Sequence, residues 1–395
     1  MSNWQTVKLS DIFTLQMGKT PSRDNSAYWN GTHNWVSIAD LSKTTKYIVS
    51  TKESITDLAV SETGIKATPK DTVVMSFKLS IGKTAVTAEE TYTNEAIMSF
   101  IDKGVYDVDI DYIFHLFSGK DWSKGTNKAV MGVTLNKATL SQISIPLPPL
   151  ETQKQIAANL DKVTHTIDLC NNILEKLDLL VKSRFVEMFG DVLKNDKKWI
   201  ERPLGEICEK IVRYPTFYGM DYIESGTRVI RIGNILNDGH METDDENYVF
   251  VYEGVNDDFP ETVVEENDII MAVRGDGSAA KRIGFITENC LVGANISPNL
   301  IRIKANSSYV IPIFLFYYLT GEIGQKRLDA YVNKTAKKNI AAKDIVKVIS
   351  PVPPLALQEQ FAAFVEQTDK SKSAVKQVLE KAETLKKALM QEYFG

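Results

Sequence analysis

The sequence predicts an α+β protein made by internal duplication: two mixed α/β heads and two long helices that pair as an antiparallel coiled coil. Three observations carry that prediction. Residues 146–158 recur as residues 351–363. Each copy opens a stretch free of Gly and Pro, with apolar residues at three- and four-residue spacing, down to a closing Gly190 or Gly395. Upstream of each copy, short β-rich runs alternate with Gly, Asn and Asp turns, the pattern of strands and loops.

The repeat sets the element order. Pro146 to Ala158 matches Pro351 to Ala363 at an offset of 351 − 146 = 205, and the match runs without a gap to Phe189-Gly190 over Phe394-Gly395. Upstream the match is looser. Trp4, Leu9 and Ile12 align with Trp199, Leu204 and Ile207, at an offset of 199 − 4 = 195. Ile38–Leu41 resembles Ile232–Ile235, Val73–Met75 resembles Ile269–Met271, and Ile81-Gly82 resembles Ile283-Gly284. The predicted domains are a first head (1–147), a first spacer helix (148–190), a second head (191–350, with a linker at 191–198) and a second spacer helix (351–395).

In the heads, strands are expected around 34–38, 72–76, 228–232 and 268–273, with one helical patch late in each, 112–117 and 313–319. In the first long helix the apolar seam is Ile156, Leu160, Val163, Ile167, Cys170, Leu174, Leu177 and Val181; Ile173, Leu179 and Leu180 widen it. In the second it runs through Phe361, Phe364, Thr368, Ser371, Val375, Val378, Ala382, Leu385 and Leu389. Pro-Pro before and Gly after are the expected start and stop signals. A stripe wider than a strict seam points to contact with more than one helix. Because the second head lies between the two helices in the chain, the helices must run antiparallel, giving a pseudo-two-fold object whose ends, residues 1 and 395, lie close together.

Composition narrows the function. The chain has 395 residues and a formal charge of 46 − 51 = −5, which excludes a uniformly basic coat. Eleven of the acids and no Lys or Arg fall within 242–268; without that stretch the remainder carries −5 + 11 = +6, and a basic face elsewhere is open. The three cysteines and four histidines are scattered with no metal-ligand spacing. The N-terminus has no signal-peptide layout, and the most apolar run, 309–319, is about half the roughly 20 residues of a membrane helix. A cytoplasmic protein is expected. No phosphate-binding loop of the G-x-x-x-x-G-K-[ST] type is present, Gly275-Asp276-Gly277 is a lone G-x-G, and no nuclease-like acid cluster stands out.

A rod holding two similar but non-identical heads suits a long, repetitive target. Duplex DNA presents the same groove about every 34 Å. At this point a resemblance is plain. The two Pro-Pro-Leu-x-x-Gln-x-Gln starts (Pro148 to Gln155, Pro353 to Gln360), the long helices after them and the Phe-Gly ends resemble the specificity (S) subunits of type I restriction-modification enzymes, over essentially the whole chain. The resemblance implies a non-catalytic subunit. Its heads, called target recognition domains, would each read one half of a bipartite asymmetric site, and its helices would set the spacer. Two methyltransferase (M) subunits would dock on helices and heads, and two restriction (R) subunits would join for cleavage. S-adenosylmethionine, ATP and Mg would be bound by the partners, none by this chain. The complex would methylate the amine of a flipped adenine and act as an ATP-dependent endonuclease. The alternative is a duplicated coiled-coil adaptor without DNA recognition.

Phosphate contacts need Lys, Arg and small polar groups, and base reading needs groups that reach a groove. In head one the candidates are Lys19, Thr20, Arg23, Lys43, Lys78, Lys83, Lys124 and Lys128, with Lys46 beside Lys43. In head two they are Arg213, Tyr214, Arg231, Arg274, Lys281, Arg282, Lys334, Lys337 and Lys338. Arg274 to Arg282 is the strongest patch, since its glycines let the backbone approach DNA. The acidic 242–268 stretch is expected to face away from DNA. On the helices, Leu160, Ile167, Leu174, Leu177, Val375, Leu379, Leu385 and Leu389 are the partner-binding candidates.

Overall fold

Each half of the chain begins with a strand that returns, at its far end, to pair with the strand leading into a long helix. Gln5–Lys8 pairs antiparallel with Ser144–Leu147, and Ile200–Pro203 with Ile349–Val352. Gln5 lies opposite Leu147 and Ile200 opposite Val352, so the two offsets of the sequence repeat, 195 and 205, meet in one ladder. The computed structural model describes residues 4–78, 80–122, 135–191, 194–213, 221–275, 281–287, 289–333 and 338–395. They form two compact units. One is Met1–Asn171 with Gln377–Gly395; the other is Asn172–Lys376. Each unit therefore takes one head and a part of both long helices, Leu150–Phe189 and Leu355–Phe394, of 40 residues each.

In the first unit a five-stranded sheet runs in the order Phe13–Met17, Ile97–Asp102, Val73–Ser76, Thr84–Thr87, Tyr47–Ile48. A three-stranded sheet, Glu53–Ile55, Trp29–Val36 and Tyr92–Thr93, accompanies it. Val73–Ser76 is buried at every residue. It reads as a continuous apolar run because the sheet is covered on both faces. The helix Ile110–Gly119 lies in this core, with Phe117 edge-on to Phe100 at 4.8 Å. Ile156, Ala157 and Leu160 of the first long helix join the same core, and Trp4, Leu389 and Phe394 pack on it. Both ends of the chain thus meet one cluster.

The second unit repeats this plan. A four-stranded sheet has the order Cys208–Arg213, Leu300–Ala305, Ile269–Ala272, Ile283–Phe285, beside a three-stranded sheet of Val249–Val251, Thr227–Ile230 and Asn295–Ile296. The helix Pro312–Thr320 takes the place of Ile110–Gly119. Phe185 and Phe189 of the first long helix each meet both Phe314 and, on the second long helix, Phe361, with ring centroids 4.7–5.6 Å apart.

One expected alignment is corrected by the strand register. Val74 lies opposite Ala85 and Ile270 opposite Gly284, so Gly284 matches Ala85, not Gly82. The residue matching Gly82 is Lys281; both have a left-handed backbone, φ 88° and 64°. The hairpin of head two is longer by three residues, and the Ile-Gly likeness is coincidental.

The repeated Gln of the Pro-Pro-Leu-x-x-Gln motif explains how a head is bolted to its helix. Gln153 is fully buried. Its amide N–H group donates to the carbonyls of Pro148 (2.8 Å) and Asp107 (2.9 Å), and its oxygen accepts from the Asp109 N–H (2.9 Å). Gln358 donates to Pro353 (2.7 Å) and Tyr309 (3.1 Å) and accepts from Ile311 N–H (2.8 Å). Each clamp ties a helix start to the loop that opens the head's own helix.

Within each unit the long helices run antiparallel. In the first unit Asn159 reaches Tyr393 (3.4 Å), and Ile167 lines a groove with Glu383 and Lys386. In the second, Phe185 meets Phe361, and Asp178 pairs with the buried Lys372 at 2.7 Å.

Candidate nucleic-acid interface

In each head a central turn is joined to neighbouring loops by hydrogen bonds. In head one the turn after Phe13–Met17 is tied to the turn at 94–96: Lys19 N–H donates to Thr93 (2.8 Å) and Gly18 N–H to Ile97 (3.2 Å). The Trp35 indole holds the same turn by donating to the Lys19 carbonyl at 3.1 Å. The hairpin loop 77–83 is tied to the 94–96 turn by Phe77 N–H to Ala96 (2.9 Å). Gly82 in that loop abuts Trp122, where a Cβ would stand only 3.0 Å from the ring. Trp122 follows the helix Ile110–Gly119.

Head two has the same chain of contacts. The Arg213 guanidinium donates to the Pro298 carbonyl (3.0 Å), Val273 N–H to Asn299 (2.9 Å), and Ile340 N–H to Val273 (3.0 Å). Arg274-Gly275 pairs as a short strand with Lys338-Asn339. Arg274-Gly275 and Lys338-Asn339, which sequence places far apart, are therefore neighbours.

The predicted residues divide. Lys19, Thr20, Lys78 and Lys83 all lie on the chained loops of head one. Lys78 is exposed, with its ammonium 5.3 Å from the Phe77 ring. Neither Lys78 nor Lys83 has an ion-pair partner among the described residues. The Lys19 ammonium bonds the Thr63 carbonyl and the Thr20 hydroxyl donates to Glu95. Arg23 stacks 3.9 Å over Trp29 and forks onto Glu53, whose hydrogen bond raises its pKa despite the opposing burial. Lys43 is exposed at the end of the helix Ile38–Lys43, outside the chained loops. Lys124, Lys128, Tyr214, Lys334 and Lys337, and the side chains of Arg274 and Lys338, lie outside the described residues.

Four candidates turn out to be structural. Lys46 pairs with Asp111 (2.9 Å) and Asp161 (2.8 Å), joining head one to its helix. Lys281 pairs with Asp329 at 2.6 Å, and Arg282 donates to the Ile235 carbonyl at 3.2 Å. The hairpin that carries them packs against Glu322–Asp329, which supplies a carboxylate the sequence order conceals. Arg231 caps a short turn and reaches the Asn247 carbonyl at 3.4 Å.

The acidic stretch is not one solvated face. Asp268 is buried against the fully buried Arg302 (2.6 Å), and Glu265 bonds Lys304 (2.7 Å) and Arg302 (2.6 Å). Those bonds, Lys304 first, lower the Glu265 pKa to about 2. On the long helices, Leu160 lies in the core of the first unit and presents no surface, which corrects its place among the partner-binding residues. Leu389 packs on that core. Ile167, Leu174, Leu177, Val375 and Leu379 are half-buried, and Leu385 is 49% exposed. Leu169, Ile173, Leu179 and Leu180 are exposed as well. Among the described residues no helix is long and apolar enough to cross a membrane.

What sequence reading missed is the turn at the centre of the loops, Asn94–Ala96 in head one and Ser297–Asn299 in head two. It is not basic, so a search for cations passes over it. The signal was its place between the paired strands.

Residues 1–179 and 196–384 match the family described as type I restriction modification DNA specificity domain. The MjaIX type I restriction enzyme specificity subunit of Methanocaldococcus jannaschii is 25% identical over 390 residues, covering 92% of this chain and 86% of the relative. The S subunit of a type I restriction-modification system from M. genitalium superposes with a TM-score of 0.57 at 15% identity, over 100% of this chain and 96% of that one. A chain solved in work on complex assembly and conformational transition of a type I R-M system gives 0.60 at 19%, over 100% and 98%. At those identities the structures speak for the fold.

Proposed function

The chain belongs to the type I restriction-modification DNA specificity family, and from that premise we propose that its two loop clusters each read one half of a bipartite DNA target. The observation that carries this is the repetition: in both heads the central turn is joined to the hairpin strand by a matching main-chain bond, Phe77 N–H to Ala96 and Val273 N–H to Asn299, while the side chains on the turn differ. Equal frames with unequal residues make an asymmetric reader. Lys78 and Lys83 contact phosphate, a sequence-independent term, and groups at the loop centre face base edges.

The long helices are the docking surface for two methyltransferase subunits. The exposed Leu169, Ile173, Leu179, Leu180, Val378 and Leu385 are apolar groups that a partner helix can cover. Restriction subunits join that assembly. S-adenosylmethionine, ATP and Mg belong to the partners, and this chain contributes recognition without catalysis.

The test is adenine-methylation mapping by single-molecule sequencing, in cells carrying the matching methyltransferase subunit with and without this chain. A two-part motif that appears only with both supports the reading. A complex that forms yet methylates no motif refutes it.

A further inference from the structure

The turn at the centre of head one carries an acid where a phosphate-binding surface has no use for one. Glu95 is exposed, between Asn94 and Ala96, on the turn to which both the 18–23 turn and the 77–83 hairpin loop are hydrogen-bonded. Around it the loops supply Lys19, Arg23, Lys78 and Lys83. A carboxylate in that setting repels phosphate, so backbone binding alone does not account for it.

Its surroundings hold it in place without covering it. The Thr20 hydroxyl donates to one carboxylate oxygen. The other has no hydrogen-bond partner among the described residues. Arg23 is committed to Glu53 and to the Trp29 face. Glu95 therefore stands oriented and open on one side. Its charge still reaches Arg23, where it adds to the effect of Glu53 in raising the guanidinium pKa.

A carboxylate only accepts hydrogen bonds. The donors that DNA shows in the major groove are the amines of cytosine (N4) and adenine (N6). Head two offers no such group at the matching position: Pro298 stands there, and its carbonyl takes the Arg213 guanidinium. The acid is a private feature of head one.

We propose that Glu95, oriented by Thr20, is a specificity-determining residue of head one that accepts a hydrogen bond from an exocyclic base amine in the major groove. This rests on the DNA-specificity reading above. Cytosine is the favoured partner, because adenine's adjacent N7 acceptor would face the carboxylate unfavourably.

The experiment uses the full chain with its methyltransferase partner and maps the methylated motif for the native chain, Glu95→Ala and Glu95→Gln, with melting curves for each. In Glu95→Ala, one base pair of one half-site should relax. Discrimination there should fall about 5- to 150-fold, the range for a base-specific contact, while the other half-site stays as it was. Glu95→Gln should shift the preference at that pair toward adenine, whose N6 and N7 suit an amide. Overall binding to non-specific duplex should not weaken, since a repulsive charge is gone. If both variants keep the native two-part motif with unchanged discrimination, Glu95 is only a latch for Thr20 and the proposal fails. It also fails if both variants unfold head one. If the native chain directs no motif at all, the DNA-specificity reading falls and this proposal with it.

Discussion

Replacing Gln153 by Ala should loosen the first unit and leave the second as it was. The side chain makes three hydrogen bonds, one to the buried carbonyl of Pro148 and two to the partly buried Asp107 carbonyl and Asp109 N–H. A buried polar group left without its partner costs about 1–3 kcal/mol. Taking about 2 for Pro148 and about 1 for each of the others gives about 4 kcal/mol. Freeing a Gln from its single rotamer returns about 1 kcal/mol, so the net cost is about 3 kcal/mol. The first unit has 171 + 19 = 190 residues, a size at which about 3 kcal/mol lowers Tm by roughly 6–12 °C. The assay is thermal unfolding followed by tryptophan fluorescence. Trp4, Trp29, Trp35 and Trp122 lie in the first unit and only Trp199 in the second, so fluorescence reports chiefly on the first. Gln153→Glu should cost as much as Gln153→Ala, because a carboxylate facing two carbonyls has no proton to give them. Gln358→Ala should move the far-UV signal and leave most of the fluorescence transition in place. A fluorescence shift under about 2 °C for Gln153→Ala, or the same shift from Gln358→Ala, would refute the clamp.

Asp268→Ala should destabilise the second unit by about 3–5 kcal/mol, because Arg302 would keep its buried charge without its buried carboxylate partner; urea unfolding measures it, and a loss under about 1 kcal/mol contradicts the pairing. The first unit should weaken as pH falls below about 6.5. Burial lowers the pKa of His115 against the opposing Asp161 bond, with Lys46 and Lys386 adding to the lowering. The unfolded chain then binds the proton first, so stability is complete above the unfolded value of about 6.5 and is lost below it. Fluorescence melts at pH 7.5 and 5.5 should differ in the native chain and converge in His115→Gln. Lys78→Ala and Lys83→Ala should each weaken DNA binding alike on all sequences and flatten the plot of log affinity against log salt by about one unit of slope. A change of motif instead would make them base readers.

The parts of this fold that sequence exposes are those with a local period. The long helices start after Pro149 and Pro354 and stop before Gly190 and Gly395 as Pro, Gly and the apolar spacing foretell. The duplication is equally visible, because its downstream half has no gaps. The site was legible only as a list of cations. Whether a Lys is free depends on what packs beside it: Lys281 meets Asp329 across 48 residues, and Lys46 meets Asp161 across 115. No periodicity announces such pairs. The register of the hairpins was hidden for a related reason. Head two inserts three residues before Lys281, and a short Ile-Gly likeness at the wrong place outweighed strand pairing that only the sheet reveals.

The two kinds of repeat have one physical basis. The Gln153 and Gln358 clamps join a single side chain to main-chain groups, so they hold whatever residues the head carries at those points: Asp107 and Asp109 in one, Tyr309 and Ile311 in the other. The loop clusters are likewise chained largely through main-chain groups, Phe77 to Ala96 in one head and Val273 to Asn299 in the other. Main-chain bonds place no demand on side-chain identity beyond excluding proline at the donor. A head built this way can exchange the side chains it shows to a target while its loops keep their positions. Glu95 and Pro298 illustrate it: they occupy matching positions on matching turns, one a charged acceptor and the other a ring with no donor. The shared frame thus rests on main-chain bonds and two glutamines, while the side chains on the central turn and the length of the hairpin differ between the heads.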